Sequence, residues 1–259
     1  MVPSSLQVHK PTVTVVWFKR DFRVHDHAPL VHAAAQGPAI PLWIVEPEWW
    51  SSPDLDRTHF SFAKAAAIEL RDRLRHLHTD LFVRIGDAVE ILQALSQQFE
   101  IRELVSHEET GGMWTYRRDI RVQRWCRSNN IPWKEFRQDG VVRRLRNRDH
   151  WASHWQHWAD STTLPSPTTI ALPNNPNYST QYEQSARDWQ SIDDFESTLP
   201  SINPISDRLQ IGGESHATRM LDSFLSERGR EYRVQMSSPV TAEHACSRLR
   251  SEEHTSELQ

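Results

Sequence analysis

The chain has 259 residues, a formal net charge of −4, 37% hydrophobic residues and 25% charged ones. That is enough for one large domain or for one domain with part of another, and the charge argues against bulk affinity for nucleic acid while leaving room for a local basic patch. No run of about 18 apolar residues is present, so no membrane span is expected, and residues 1–10 lack the apolar core of a signal peptide. Cys126 and Cys246 give neither a metal pattern nor a disulfide framework, which fits a reduced, cytoplasmic setting.

The first informative stretch runs from Thr12 to Asp26. Val13 to Phe18 is an apolar, β-branched run too short for a typical helix, and it reads as a strand buried on both faces of a parallel sheet. It then turns abruptly charged at Lys19, Arg20, Asp21, Arg23 and Asp26. In open α/β sheets ligands bind beyond the carboxyl ends of the strands. The cluster is therefore either a functional loop or a solvated turn with local Arg–Asp pairs.

The spacing predicts a short helix over 28–35, closed by Gly37-Pro38, and a second buried strand over 40–45, with Pro41 tolerated near its start. Residues 46–56, with two prolines and Trp49-Trp50, read as a loop. The clearest helix spans 58–79, where Phe62, Ala66, Leu70, Leu74 and Leu77 recur on one face. A third strand follows over 81–85. Gly86-Asp87 breaks it and caps a helix to about Gln98, with Val89, Leu92 and Leu95 inward. Strands over 101–105 and 131–136 flank a charged helix over 113–127. This alternation argues for a doubly wound, five-stranded parallel sheet with right-handed crossovers. No Gly-x-Gly-x-x-Gly follows the first strand, so no phosphate-binding loop is expected there.

The character changes at residue 141. Arg143, Arg144, Arg146 and Arg148 precede Trp151, Trp155 and Trp158, whose spacing sets all three on one helix face. A basic and aromatic patch of this kind could meet nucleic acid. A helix packed on a neighbouring domain is the simpler reading. Residues 160–207 hold six prolines and read as a long linker with at most short helical pieces around 182–191. A new helical unit opens at Gly212-Gly213-Glu214, with Ala217, Met220, Leu221, Phe224 and Leu225 at helical spacing and Gly229 beyond it.

Val16-Trp17-Phe18-Lys19-Arg20-Asp21-Phe22-Arg23-Val24-His25-Asp26 resembles the opening strand and loop of the photolyase/cryptochrome family, departing from its pattern at Phe22, where leucine is usual. The resemblance implies an α/β antenna domain over 12–140 after a disordered N-terminus (1–11). An interdomain helix and linker would follow over 141–207, and then the start of an all-helical FAD-binding domain over 208–249. It also implies that Tyr232, Ser247, Arg248 and Leu249 hold the FAD diphosphate, through hydroxyls and backbone N–H groups of the kind that bind anions. Cys246 stands where the family usually has threonine, and Met236 where many relatives carry an arginine that faces DNA. A second, light-harvesting chromophore, a methenyltetrahydrofolate or a deazaflavin, is implied near the strand ends. Trp43 with the loop that starts at Glu46, Arg57, Glu108 and Glu109 are the candidate contacts. Glu108 and Glu109 also admit two other readings, a general acid/base pair or negative charge complementing a helix dipole. No metal ligands are assigned.

By this resemblance the full gene product would be a deoxyribodipyrimidine photolyase. Its reduced FAD would donate an electron, under blue light, to a pyrimidine dimer flipped out of UV-damaged DNA. The alternative is a cryptochrome-type photoreceptor without repair. A monomer is expected, with no membrane partner. Residues 250–259 look like the in-frame translation of a sequencing-library adapter and are set aside. Without their one arginine and three glutamates the net charge is −2. The expectation is then a truncated chain, inactive alone, that lacks most of the flavin pocket. In the family the relay tryptophans lie in the flavin domain, so the eleven here, all between Trp17 and Trp189, are expected mainly as core anchors.

Overall fold

The sheet is built around the strand read first. In the computed structural model, β1 (Thr12–Phe18) has six buried residues of its seven. They divide by parity: Val13, Val15 and Trp17 enter one core, Val16 and Phe18 the other. Such division is what a strand covered on both faces requires. The structure describes residues 10–249 apart from 144, 146, 175, 202–209 and 239. The expectations for residues 1–9, Arg144, Arg146, the end of the linker and residues 250–259 fall outside the described residues.

Four further strands, β2 (Ala39–Val45), β3 (Phe82–Ile85), β4 (Glu100–His107) and β5 (Trp133–Phe136), join β1 in a wholly parallel sheet of order β3-β2-β1-β4-β5. Helix α1 (Ala28–Gln36) follows β1, the short α2 (Pro47–Trp50) and the long α3 (Arg57–His76) follow β2, and α4 (Ala88–Gln98) and α5 (Met113–Ser128) follow β3 and β4. Leu30 and Ala33 of α1 pack with Phe60, Ala67, Leu70 and Leu74 of α3 on one face. Leu92 and Leu95 of α4 pack with Val122 and Trp125 of α5 on the other. The winding therefore reverses at β1, between β2 and β4. The carboxyl ends of β1 and β4 border the crevice where ligands of doubly wound sheets bind.

Local chemistry sets the element ends. Asp87 caps α4 by accepting from Val89 and Glu90 N–H. Asp56 and His59 form a reciprocal capping box at the start of α3, a pairing that fixes its first turn. The stretch 46–56, expected as a loop, contains α2. The inner seam of α3 is Phe60, Ala63, Ala66, Ala67, Leu70 and Leu74, and Phe62 is only half-buried.

Beyond β5, α6 (Trp151–Ala159) carries the three tryptophans on a helix with no buried residue. Trp155 lies against Gly140, where a Cβ would come within 2.4 Å of its ring. The linker departs from expectation. In place of short pieces there is a helix of 23 residues, α7 (Pro176–Thr198). It closes the open edge of β3: Ser185 Oγ accepts from Val83 N–H at 2.8 Å, and Trp189 Nε1–H donates to the Leu81 carbonyl at 3.2 Å. An uncovered edge strand is a template for unwanted pairing, and α7 removes it. The last unit is α8 (Glu214–Ser226) followed by short helical turns over 228–231, 232–235 and 242–245. Among the described residues no helix is long and apolar enough to cross a membrane.

Candidate functional site

The charged loop after β1 folds around one carboxylate. Asp21 is buried, and its Oδ2 accepts from His27 Nε2 at 2.9 Å and from His107 Nδ1 at 2.5 Å, while Oδ1 accepts from Lys19 N–H at 2.9 Å. Burial alone would raise the Asp21 carboxyl. The hydrogen bonds and charges of His107 and His27 hold it well below the usual carboxylate range. His27 is fully buried, and that burial pushes its imidazole down to about 4 against the pull of Asp21.

These three side chains bring potential metal-ligand atoms within 4.8 Å of one another. The proton positions assign the cluster differently. Leu30 N–H donates to His27 Nδ1 at 3.1 Å, so the neutral ring carries its proton on Nε2, which faces Asp21. His27 then keeps no lone pair free toward the cluster, and the three side chains form a hydrogen-bonded tie between the end of β1, the start of α1 and the end of β4.

A second buried polar group lies beside it. Arg118 of α5 donates to Glu46 Oε2 at 2.7 Å and pairs with Glu109 and, at 3.0 Å, with Asp119. Arg20 pairs with Glu109 at 3.2 Å and Lys19 with Asp119 at 3.2 Å. Burial raises Glu46 to about 7, more than Arg118 lowers it, and its Oε1 has no hydrogen-bond partner. Burial also acts to raise Glu109, but the charges of Arg118, Arg20 and Lys19 draw it below its ordinary value. Buried carboxylates thus share one guanidinium, and Glu46 holds a proton near neutrality.

A cavity of about 560 Å³ opens beside Arg20 and Asp21. Arg20, Phe22 and Arg23 form one wall, Trp49, Trp50 and His59 a second, and Ala217 and Leu221 of α8 a third. Trp49 and Trp50 pack at 4.4 Å between ring centres, and Trp49 stacks near Trp114 at 6.3 Å and 26°. The Arg20 guanidinium stands 5.8 Å from the Trp49 ring. A mostly apolar cleft with aromatic planes, whose two arginines stand among Asp21, Asp26 and Glu214, suits a flat, conjugated molecule.

The residues named from sequence divide. Glu109 lies directly behind Arg20 of the cavity wall. Glu108 is half-buried, 3.9 Å from Arg143. Trp43 sits in the core behind the wall, its ring edge-on to Phe22 at 5.2 Å. Arg57 is the first residue of α3, its N–H bonded to the Pro200 carbonyl, and it does not line the cavity. Leu249 lines the cavity. Tyr232 is half-exposed and meets Phe224 edge-on at 5.7 Å. The Ser247 and Cys246 carbonyls accept from Arg228, and the Arg248 carbonyl accepts from Gln210. Ser247 Oγ lies 3.4 Å from Leu249 N. Trp49 and Trp50 belong to the candidate loop from Glu46, whereas Arg20, Arg23 and His59 are contacts that the sequence does not single out. The charge cluster and the paired tryptophans were visible signals, whereas nothing local marks His59.

A family model described as DNA photolyase matches residues 14–153, more than half of the chain. Cryptochrome DASH of Gloeobacter violaceus is 30% identical over 134 residues, covering 47% of this chain and 25% of that protein. A deoxyribodipyrimidine photo-lyase of Alkalihalophilus pseudofirmus is 24% identical over 131 residues, covering 48% and 26%. Among solved structures, a Synechocystis cryptochrome superposes with a TM-score of 0.69 at 16% identity, covering 93% of this chain and 52% of that one. A class III photolyase of Agrobacterium tumefaciens gives 0.64 at 20%, covering 95% and 51%. The chain therefore spans about a quarter of these two curated relatives and about half of these two solved structures. With the matched segment running from β1 through the start of α6, the chain belongs to the DNA photolyase family.

Proposed function

We propose that this chain supplies the light-gathering α/β domain (12–140), the interdomain segment (141–207) and the opening helix of the FAD-binding domain (208–249) of a light-driven flavoprotein. The observation that carries the reading is the cavity at the carboxyl ends of the strands, walled by Trp49, Trp50, Phe22, Arg20 and Arg23. It would take the antenna chromophore, a conjugated ring system with an anionic tail. A solved archaeal photolyase of Sulfolobus tokodaii is described as holding two FAD molecules, one implicated as a light-harvesting cofactor, which supports a second flavin-sized ligand. In this site Trp49 and Trp50 would supply the ring contacts, the two arginines would meet the anionic group, and Glu109 would orient Arg20. Bound there, the chromophore would supply light absorption and energy transfer to the flavin.

For the whole gene product we propose repair of pyrimidine dimers in UV-damaged DNA, with Tyr232, Ser247, Arg248 and Leu249 at the FAD diphosphate. Several relatives bear cryptochrome names, which supports the rival reading of a photoreceptor without repair. The cavity reading is tested by equilibrium dialysis of the purified chain against methenyltetrahydrofolate, a deazaflavin and FAD in the dark. One of them binds with one-to-one stoichiometry, and Trp50→Ala or Arg20→Ala weakens it about tenfold, the loss expected for a ring contact or a charge-assisted hydrogen bond. Absence of binding by all three contradicts the reading.

A further inference from the structure

Two walls of the cavity are joined by one side chain. Glu214, the first residue of α8, accepts from Val24 N–H through one carboxylate oxygen and from His25 N–H through the other, each at 3.1 Å. Next to it, Ser215 N–H and Oγ–H donate to Glu69 of α3 at 2.8 and 2.9 Å. Arg73 stands 3.5 Å from Glu214 and pairs with Glu69 at 2.9 Å. The backbone before this point admits only glycine: a Cβ at position 212 would lie 2.0 Å from the Phe62 carbonyl, and Gly213 has φ of +135°. By contrast α8 has no buried residue, and its Leu221 and Leu225 are exposed. Its attachment to the α/β body therefore depends on this polar latch far more than on apolar packing.

The groups that the latch fixes are the cavity walls themselves. Phe22, Arg23 and His25 of the loop lie on one side and Ala217, Thr218 and Leu221 of α8 on the other. We infer that Glu214 is a positioning residue that docks α8 against the loop after β1, so that closing of the cavity and docking of the helix are one equilibrium. A ligand that touches both walls binds the docked form alone and shifts the equilibrium toward it; by reciprocity, loosening the latch weakens the ligand by the same factor. The coupling to a ligand rests on the cavity reading above, whereas the latch does not.

The test uses hydrogen exchange on the full chain, wild type beside Glu214→Gln and Glu69→Gln. Glutamine at 214 keeps one acceptor oxygen but turns N–H donors toward the second backbone N–H. Glu69→Gln releases Ser215 from the opposite side and leaves Glu214 intact. The expected result is exchange about tenfold faster over residues 214–226 in both variants, with sheet amides unchanged. Saturating methenyltetrahydrofolate or FAD, whichever binds, slows exchange over 214–226 in the wild type and binds both variants about tenfold more weakly. Unchanged exchange over 214–226 overturns the latch, and undiminished binding by the variants overturns the coupling. If neither of these probes nor a deazaflavin binds the wild type while both variants speed exchange, the latch stands and the cavity reading falls.

Discussion

Asp21 receives three N–H donors and is almost wholly buried. Asp21→Asn would turn amide protons toward at least one of them, and breaking a buried charged group of this kind costs about 3–5 kcal/mol. Urea unfolding should show a loss of that size; a loss under about 1 kcal/mol would contradict the hub. Two neighbours tilt the pH dependence in opposite senses. His27, lowered from 6.5 to about 4, binds fewer protons folded than unfolded in that window, so its contribution is lost as pH falls from about 6.5 to about 4. Glu46, raised from 4.5 to about 7, binds more protons folded, so its contribution is lost as pH rises from 4.5 to about 7. The slopes nearly cancel in the wild type. In Glu46→Gln the falling limb disappears, and the stability of the variant relative to wild type should grow by about 3 kcal/mol between pH 4.5 and 7; a flat difference would contradict the buried, proton-holding Glu46. Part of this site was legible. The charge burst after β1 is visible in any reading of residues 19–26. Its partners were not, because Arg118 looks like any other arginine of a densely charged helix and meets Glu46 across 72 residues.

At the scale of elements, the five strands and the helices between them follow from apolar runs and their spacing, since both faces of the sheet must be covered. Helix α7 shows itself in the sequence only as short pieces around 182–191, and its inner face says why. Gln181 and Ser185 are buried there along with Ile192. Gln181 accepts from Arg84, and Ser185 accepts from the edge of β3. A helix that covers a strand edge must present hydrogen-bonding groups, so its buried face is polar and the helical period of apolar residues is broken. Trp189 anchors the arrangement, tilted against Trp43 at 6.1 Å between ring centres and with Arg71 4.8 Å from its ring. Trp189→Ala should cost about 3 kcal/mol and should speed hydrogen exchange in β3 more than in β1. Equal exchange in the two strands would mean that α7 does not guard the edge.

For the molecule as a whole, the doubly wound order sets the end of β1 beside the end of β4, and α8 walls a cavity against the loop after β1. The proposed function depends on what occupies this cavity. The family-level resemblance was carried by eleven contiguous residues, and the match over 14–153 bears out that much. The contacts are less local: Trp43 proves to be core, and the cavity walls come from separate segments that no single motif contains. The decisive measurement is a crystal structure of the chain grown with the chromophore that binds it in dialysis. The account predicts density for the ring system beside Trp49 and Trp50, with its anionic group at Arg20 or Arg23 and α8 docked through Glu214. Density for the chromophore at any other place, with this cavity empty, would contradict it.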